Sequence, residues 1–290
     1  MYVDREQQKN LSSKFPIDKY RIMWYNIYVI KRKGKLLMNL MVFDTETVNL
    51  EKPFAYNIGY VIYNTDTKVV EKSVDYVIEQ VWHNPMLFTT AYYANKKEIY
   101  ISRLKGRKCI MDKFGYVTQQ MYRDIKEYDI HYAYAYNSSF DEKVFDFNCD
   151  WFKCINPLDT VEVLDIRGFV HDRIALTKAY QDYCEEMGLF TESGNYSTTA
   201  EAAYQYITED ADFEEEHTAL ADSWIELEIL IYCIEEGCEW TTKYPTYRTI
   251  ARKVRKEYTV IDSEGTEHKF EYTDKRKIKG VDGVRLTIND

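Results

Sequence analysis

Proline and glycine are scarce in this chain of 290 residues, at 5 and 11, well below the usual contents of about 5% and about 7%. Long low-complexity linkers are thereby excluded. Cysteine is sparse as well, with six thiols at Cys109, Cys149, Cys154, Cys184, Cys233 and Cys238. The polar start Met1-Tyr2-Val3-Asp4-Arg5-Glu6 is unlike a signal peptide, so these thiols are expected to be reduced. The spacings Cys149-x₄-Cys154 and Cys233-x₄-Cys238 are loose for structural zinc, and buried thiols are the expected reading. No run approaches the roughly 18–20 apolar residues of a membrane-spanning helix, so no membrane partner is expected and the protein is read as soluble and cytoplasmic. Repeats at solenoid or propeller periods, Gly-rich phosphate loops and Walker-type motifs are all absent.

What is present is a 45% hydrophobic composition, enough to bury a core in one large domain with modest appendages. The 38 basic and 48 acidic residues leave a net charge of −10. That excludes a protein that coats polyanions over its whole surface, and leaves open an enzyme that meets nucleic acid at one site. The charge is uneven. Residues 241–290 hold 12 Lys or Arg against 8 Asp or Glu, a net of +4, leaving −14 for residues 1–240.

Residues 1–37 end in the basic run Lys31-Arg32-Lys33-Gly34-Lys35, and an apolar stretch of strand length follows at 36–43. The first 37 residues are thus read as an extension, either an over-extended start or a small added element. Two β-branched and aromatic stretches, 54–63 and 68–78, flank the turn Asn64-Thr65-Asp66-Thr67 and predict a hairpin. Residues 81–113, with a basic patch at 103–108, are expected to hold helices and a loop crossing the active face. The pattern then predicts a helix over 117–128, a buried strand over 130–136 and a helix from Ser138 or Ser139 to 147. A strand over 161–166, a helix over 169–187 and a helix N-capped at Ser197 with Glu201 as helper come next. The last strong helix is expected over 216–236, followed by a basic helix over 247–258 and a hairpin around Asp262-Ser263-Glu264-Gly265.

Three places carry chemistry. Asp44 and Glu46 in FDTET are separated by one residue in a strand, so both carboxylates point to one face. Like charges that close are costly unless a cation sits between them, and hard oxygen donors suit Mg²⁺ or Mn²⁺. A bare D-x-E is nevertheless most often an exposed strand end. Asp141 in NSSFD arrives where a strand becomes a helix, a position that also satisfies a helix dipole. In HTALAD on the final helix, His217 suits a general base and Asp222 a metal ligand, although a lone helical His is usually a surface residue.

Together, in this order, FDTET, NSSFD and HTALAD resemble the three motifs of the DnaQ-like DEDDh 3′→5′ exonucleases of the ribonuclease H-like superfamily, over about residues 38–237. The H-x₄-D spacing selects the His branch. Tyr136 stands where many members carry His, and Ser223 where the family's motif closes on Ala. The resemblance implies that Asp44, Glu46, Asp141 and Asp222 hold two Mg²⁺ or Mn²⁺ ions, with Asp44 bridging them and Asp141 acting largely through water. It implies His217 as general base, and it nominates Thr45, Thr47, Asn137 and Phe140 as contacts to the terminal nucleotide. The expected fold is a ribonuclease H-like α/β domain at 38–240, a mixed five-stranded sheet flanked by helices, with a small basic appendage at 241–290. The expected activity is 3′→5′ hydrolysis of single-stranded DNA or RNA 3′ ends, DNA being favoured, with a DNA polymerase or other replication protein as a compatible partner. An exoribonuclease and a non-catalytic docking module are the rival readings.

Overall fold

The computed structural model describes residues 38–88, 97–247, 249–252, 256–261, 265–272 and 285–288. The described residues fall in one unit. It opens with three long strands, β1 (Asn39–Thr47), β2 (Ala55–Asn64) and β3 (Val69–Ile78). They run antiparallel in sequence, with Phe43 opposite Tyr60 and Tyr60 opposite Val74. The β2–β3 turn forms because Asn64 Oδ1 accepts the N–H groups of Asp66 and Thr67, an Asx turn that competes with strand continuation.

After two single-turn helices at Glu79–Trp82 and Pro85–Phe88 come α1 (Lys97–Lys105), β4 (Ile110–Asp112), α2 (Phe114–Glu127) and β5 (Tyr132–Ala135). Then follow α3 (Ser139–Phe152), β6 (Glu162–Asp165), α4 (Ile166–Val170) and α5 (Lys178–Met187). The helices close with α6 (Ala200–Thr208) and α7 (Ala219–Glu235). The sheet order is β4-β3-β2-β1-β5-β6, with β5 parallel to β1, β6 parallel to β5 and β4 parallel to β3. An antiparallel meander extended by parallel strands, covered on both faces by helices, is a mixed α/β layer architecture of the kind the family resemblance implied.

Alternation along β1 divides the core. Met41 and Phe43 join one apolar cluster with Phe114, Val117, Val144 and Phe145 of α2 and α3. Leu40 and Val42 join the other, with Phe169 of α4, Tyr180 of α5 and Leu227 and Leu230 of α7. Continuing that alternation sends Asp44 and Glu46 toward the α7 face and Thr45 toward the α3 face.

Several sequence expectations need correction. The sheet has six strands, because Ile110–Asp112 pairs along the edge of β3 in a stretch that the pattern assigned to helices and a loop. The loop expected to cross the active face falls partly on residues 89–96, outside the described residues. The helix expected over 169–187 is broken: α4 runs into a wide turn at His171–Ala175, and Thr177 then caps α5 by accepting the Tyr180 N–H. Apolar spacing alone does not reveal the break. Helix α6 is capped by Thr199, whose Oγ1 accepts the Ala202 N–H at 3.2 Å. Ser197 is instead fixed by its own backbone, which pairs with Leu189 and accepts the Tyr180 hydroxyl.

The basic helix expected over 247–258 is replaced, within the described residues, by extended chain. Ile250 bridges to Tyr196, and β7 begins at Lys256. The predicted hairpin is present as β7 (Lys256–Ile261) and β8 (Glu267–Tyr272), with a further strand β9 (Arg285–Ile288) on the other edge of β7. All six cysteines are free thiols.

Candidate metal centre and active site

Strand β1 ends where two helices converge, one from each face of the sheet. Ligand oxygens of Asp44, Glu46 and Asp222 lie within 4.8 Å of one another. Asp44 and Glu46 come from β1 and Asp222 from the first turn of α7. Asp141 comes from the other face, in the first turn of α3, and its Oδ1 accepts the Thr45 hydroxyl at 2.6 Å. The Thr45 side chain, 5% exposed, is therefore a strut between the β1 carboxylates and Asp141.

The placement of Asp222 has an identifiable cause. Asn57 on β2 directs its Oδ1 at the first N–H of α7, accepting from Ala219 at 2.8 Å, and accepts the Tyr100 hydroxyl at 2.9 Å. Its amide nitrogen donates to Asp75 and to the Tyr76 carbonyl. Asn57 is thus a helix cap supplied from another element, satisfying a donor that the helix itself cannot. Next to it, Gly59 lets α7 lie directly on β2. A Cβ at position 59 would sit 2.1 Å from the Leu220 nitrogen and 2.4 Å from the Ala219 carbonyl carbon. Ser223 closes this contact by donating to the Gly59 carbonyl at 3.1 Å and to the Ala219 carbonyl at 2.7 Å.

Electrostatics mark the carboxylates as a strained group. Burial pushes the Asp44 carboxyl up to about 7, against a backbone hydrogen bond at Thr45 that lowers it. Burial, and then the charge of Asp44, hold Asp141 well above the usual carboxylate range. Side chains that resist ionisation because they are crowded and desolvated are the donor set that a divalent cation relieves. The ligand atoms that Asp44, Glu46 and Asp222 bring together are all carboxylate oxygens, which fits Mg²⁺ or Mn²⁺. Glu46 also accepts the Tyr56 hydroxyl at 3.3 Å, fixing its orientation.

His217 is not on the final helix as the pattern implied. It precedes the N-cap Thr218, with φ of +51°, and its Nδ1 lies 3.5 Å from Glu215 Oε2. Glu201, Glu215 and His217 bring ligand atoms within 4.8 Å of one another, and Glu201 Oε2 accepts the Glu215 N–H at 3.1 Å. The imidazole is half-buried beside the first turn of the helix that carries Asp222. Of the nominated substrate contacts, Asn137 is exposed with φ of +60°, Phe140 and Thr47 are half-buried, and the Thr47 hydroxyl donates to the Asn49 carbonyl. Tyr136, at the position where a His was common, donates its hydroxyl to the Thr198 carbonyl at 2.7 Å.

The sequence reading missed three residues of the site: Asn57, Tyr56 and Glu226. Asn57 sits in a strand interior, where a polar residue among FAYNIGYVIY was a signal for a buried partner. Glu226, one turn after Asp222 in an apolar helix, was a similar signal.

No protein-family model and no curated protein matches the chain. Among solved structures the chain is similar to the nuclease domain of 3′hExo, described as a DEDDh family member bound to rAMP. The identity is 14%, over 75% of this chain and 100% of that one, with a TM-score of 0.48. It is also similar to a 3′-exonuclease in a structure of 3′-end specific recognition of a histone mRNA stem-loop, at 13% identity over 100% and 88% of the chains, TM-score 0.46. A third is Exonuclease I of E. coli in complex with a dA16 oligonucleotide, at 13% identity over 67% of this chain and 40% of that one, TM-score 0.43. At these identities and TM-scores the likeness assigns nothing to this chain, and the chemistry of the site has to come from its own side chains.

Proposed function

We propose that the protein is a metal-dependent 3′→5′ exonuclease that hydrolyses phosphodiester bonds at single-stranded 3′ ends and releases nucleoside 5′-monophosphates, with DNA as its substrate. The observation that carries this reading is the convergence of Asp44, Glu46 and Asp222 within 4.8 Å, with Asp141 joined through Thr45.

Asp44, Glu46, Asp141 and Asp222 would hold two Mg²⁺ or Mn²⁺ ions, which when bound activate a water and neutralise charge in an in-line displacement at phosphorus. His217 takes the proton of the attacking water, with Glu215 steadying the opposite side of the ring. Phe140 and Asn137, at the turn that opens α3, would stack on and grip the terminal nucleotide. A single strand is favoured because a paired terminus has to fray before its last phosphodiester reaches carboxylates at the end of a sheet.

The test is a 5′-labelled single-stranded DNA and a matching RNA, each with Mg²⁺ or Mn²⁺, beside Asp44→Ala and His217→Ala. A ladder descending from the 3′ end of the DNA is expected, lost without metal and reduced about 10²–10⁴-fold in either variant. A ladder on RNA alone would make the enzyme an exoribonuclease. Binding of either strand with no ladder would make the chain a docking module.

A further inference from the structure

Five carboxyl groups converge at this site, and the fifth has no part in the four-carboxylate scheme. Glu226 lies four residues beyond Asp222 on α7, so the two share one face of the helix. Glu226 is 3% exposed, and its Oε2 accepts the N–H of Tyr136 at 3.2 Å. Burial first, and then the charges of Asp44, Asp141 and Asp222, hold its proton well above the usual range. A buried carboxylate facing others of its kind costs several kcal/mol unless a cation compensates it.

The position of Tyr136 gives the contact its meaning. Strand β5 ends at Ala135, so Tyr136 lies beyond the ladder and its N–H needs another acceptor. The next N–H, that of Asn137, goes to Asp165 Oδ1 at 2.9 Å. Two successive N–H groups of the turn that leads into α3 are thus held by carboxylates, one from α7 and one from the end of β6. That turn delivers Asp141.

We propose that Glu226 is a positioning residue of the cation site: it locks α7, with Asp222, to the turn that presents Asp141, and its carboxylate strengthens the field that retains the ions. The proposal rests on the metal-dependent reading above. Its measurement is Mn²⁺ binding to the substrate-free protein, by calorimetry or by electron paramagnetic resonance of free Mn²⁺, for wild type, Glu226→Gln and Glu226→Leu. Glu226→Gln keeps an oxygen for the Tyr136 N–H and removes the carboxyl group that can ionise when a cation binds. Glu226→Leu removes both.

Outer partners of metal sites typically contribute about 10–100-fold in affinity. The expected result is about 10-fold weaker Mn²⁺ binding in Glu226→Gln and about 100-fold in Glu226→Leu. In both variants kcat falls while KM for the oligonucleotide holds, and Glu226→Gln keeps the wild-type melting temperature. Wild-type Mn²⁺ affinity in Glu226→Gln overturns the proposal, whatever Glu226→Leu does, and leaves the exonuclease reading standing. A wild-type protein that binds no Mn²⁺ removes both.

Discussion

Individual residues show how the site holds charge that the fold alone would reject. Asp44, Asp141 and Glu226 are all pushed toward their neutral forms by burial, so a cation that binds them displaces protons and its uptake strengthens as pH rises. Away from the site, His171 makes the same trade with the opposite sign. It is fully buried, its Nδ1 accepts the Tyr247 N–H at 2.9 Å, and burial, aided by Arg167, lowers it to about 4. The unfolded chain therefore binds this proton more readily than the folded one. The stability that neutral His171 supports is present above its ordinary value of 6.5 and is lost as pH falls from there toward about 4. In urea unfolding between pH 7.5 and 4.5, wild type should lose up to about 1.4 kcal/mol per pH unit more than His171→Asn, whose Oδ1 can replace Nδ1 as acceptor. Parallel curves would show that the buried imidazole does not set this slope.

At the scale of elements, the decisive contact is α7 lying on β2. With no side chain at Gly59, backbone meets backbone, and Asn57 caps the helix from the strand beside it. Gly59→Ala should lift the start of α7 from the sheet. Because a displacement of about 1 Å in a catalytic group can cost about 10²-fold, kcat should drop by about that factor. Stability should fall by about 1–3 kcal/mol from overpacking. Steady-state kinetics with a melting curve checks both, and an unchanged kcat would mean that the helix tolerates the shift.

Local pattern made much of this legible. The meander, β5, β6, α2, α3 and α7 follow from apolar periodicity and turn residues, and the carboxylates from motif order. Asn57 and Glu226 stood out only as polar residues in apolar elements, and their partners and that of Gly59 were not legible, because these lie 162, 161 and 90 residues away for Asn57, Gly59 and Glu226 and no spacing rule reaches so far. The break at His171–Ala175 was hidden for a local reason: Phe169, Val170, Ile174 and Tyr180 keep a helical rhythm across it.

For the molecule as a whole, side-chain packing argues for a C-terminal appendage that begins later than residue 240. Residue 240 looked like a natural end to the domain, yet the chain just beyond it is part of the core. Tyr244 packs on Phe169 with ring centroids 4.8 Å apart, Tyr247 binds His171, and Ile250 is 5% exposed. Arg252 pairs with both oxygens of Glu185 and lies 4.2 Å over the Phe190 ring. The basic surplus also thins along the tail: residues 253–290 carry nine Lys or Arg and eight Asp or Glu, a net of only +1.

Cutting after Arg252 should leave the melting temperature within a few degrees and change the salt slope of oligonucleotide binding by less than about one. Cutting after Trp240 should strip the Phe169 and His171 contacts and lower the melting temperature by about 5 °C or more. Thermal melts and a salt titration of the two truncations decide it, and equal melting temperatures would return the boundary to 240.

The cap that Asn57 places on α7 also sets a timetable for synthesis. Its acceptor oxygen is translated 162 residues before the N–H it receives, and the Gly59 carbonyl waits 164 residues for the Ser223 hydroxyl. Until that late segment leaves the ribosome, one face of the sheet stands uncovered and the carboxylates of β1 have no Asp222 beside them. A nascent chain halted before α7 therefore exposes apolar surface and lacks Asp222, and the carboxylate cluster is completed abruptly when α7 emerges rather than accumulating along the chain.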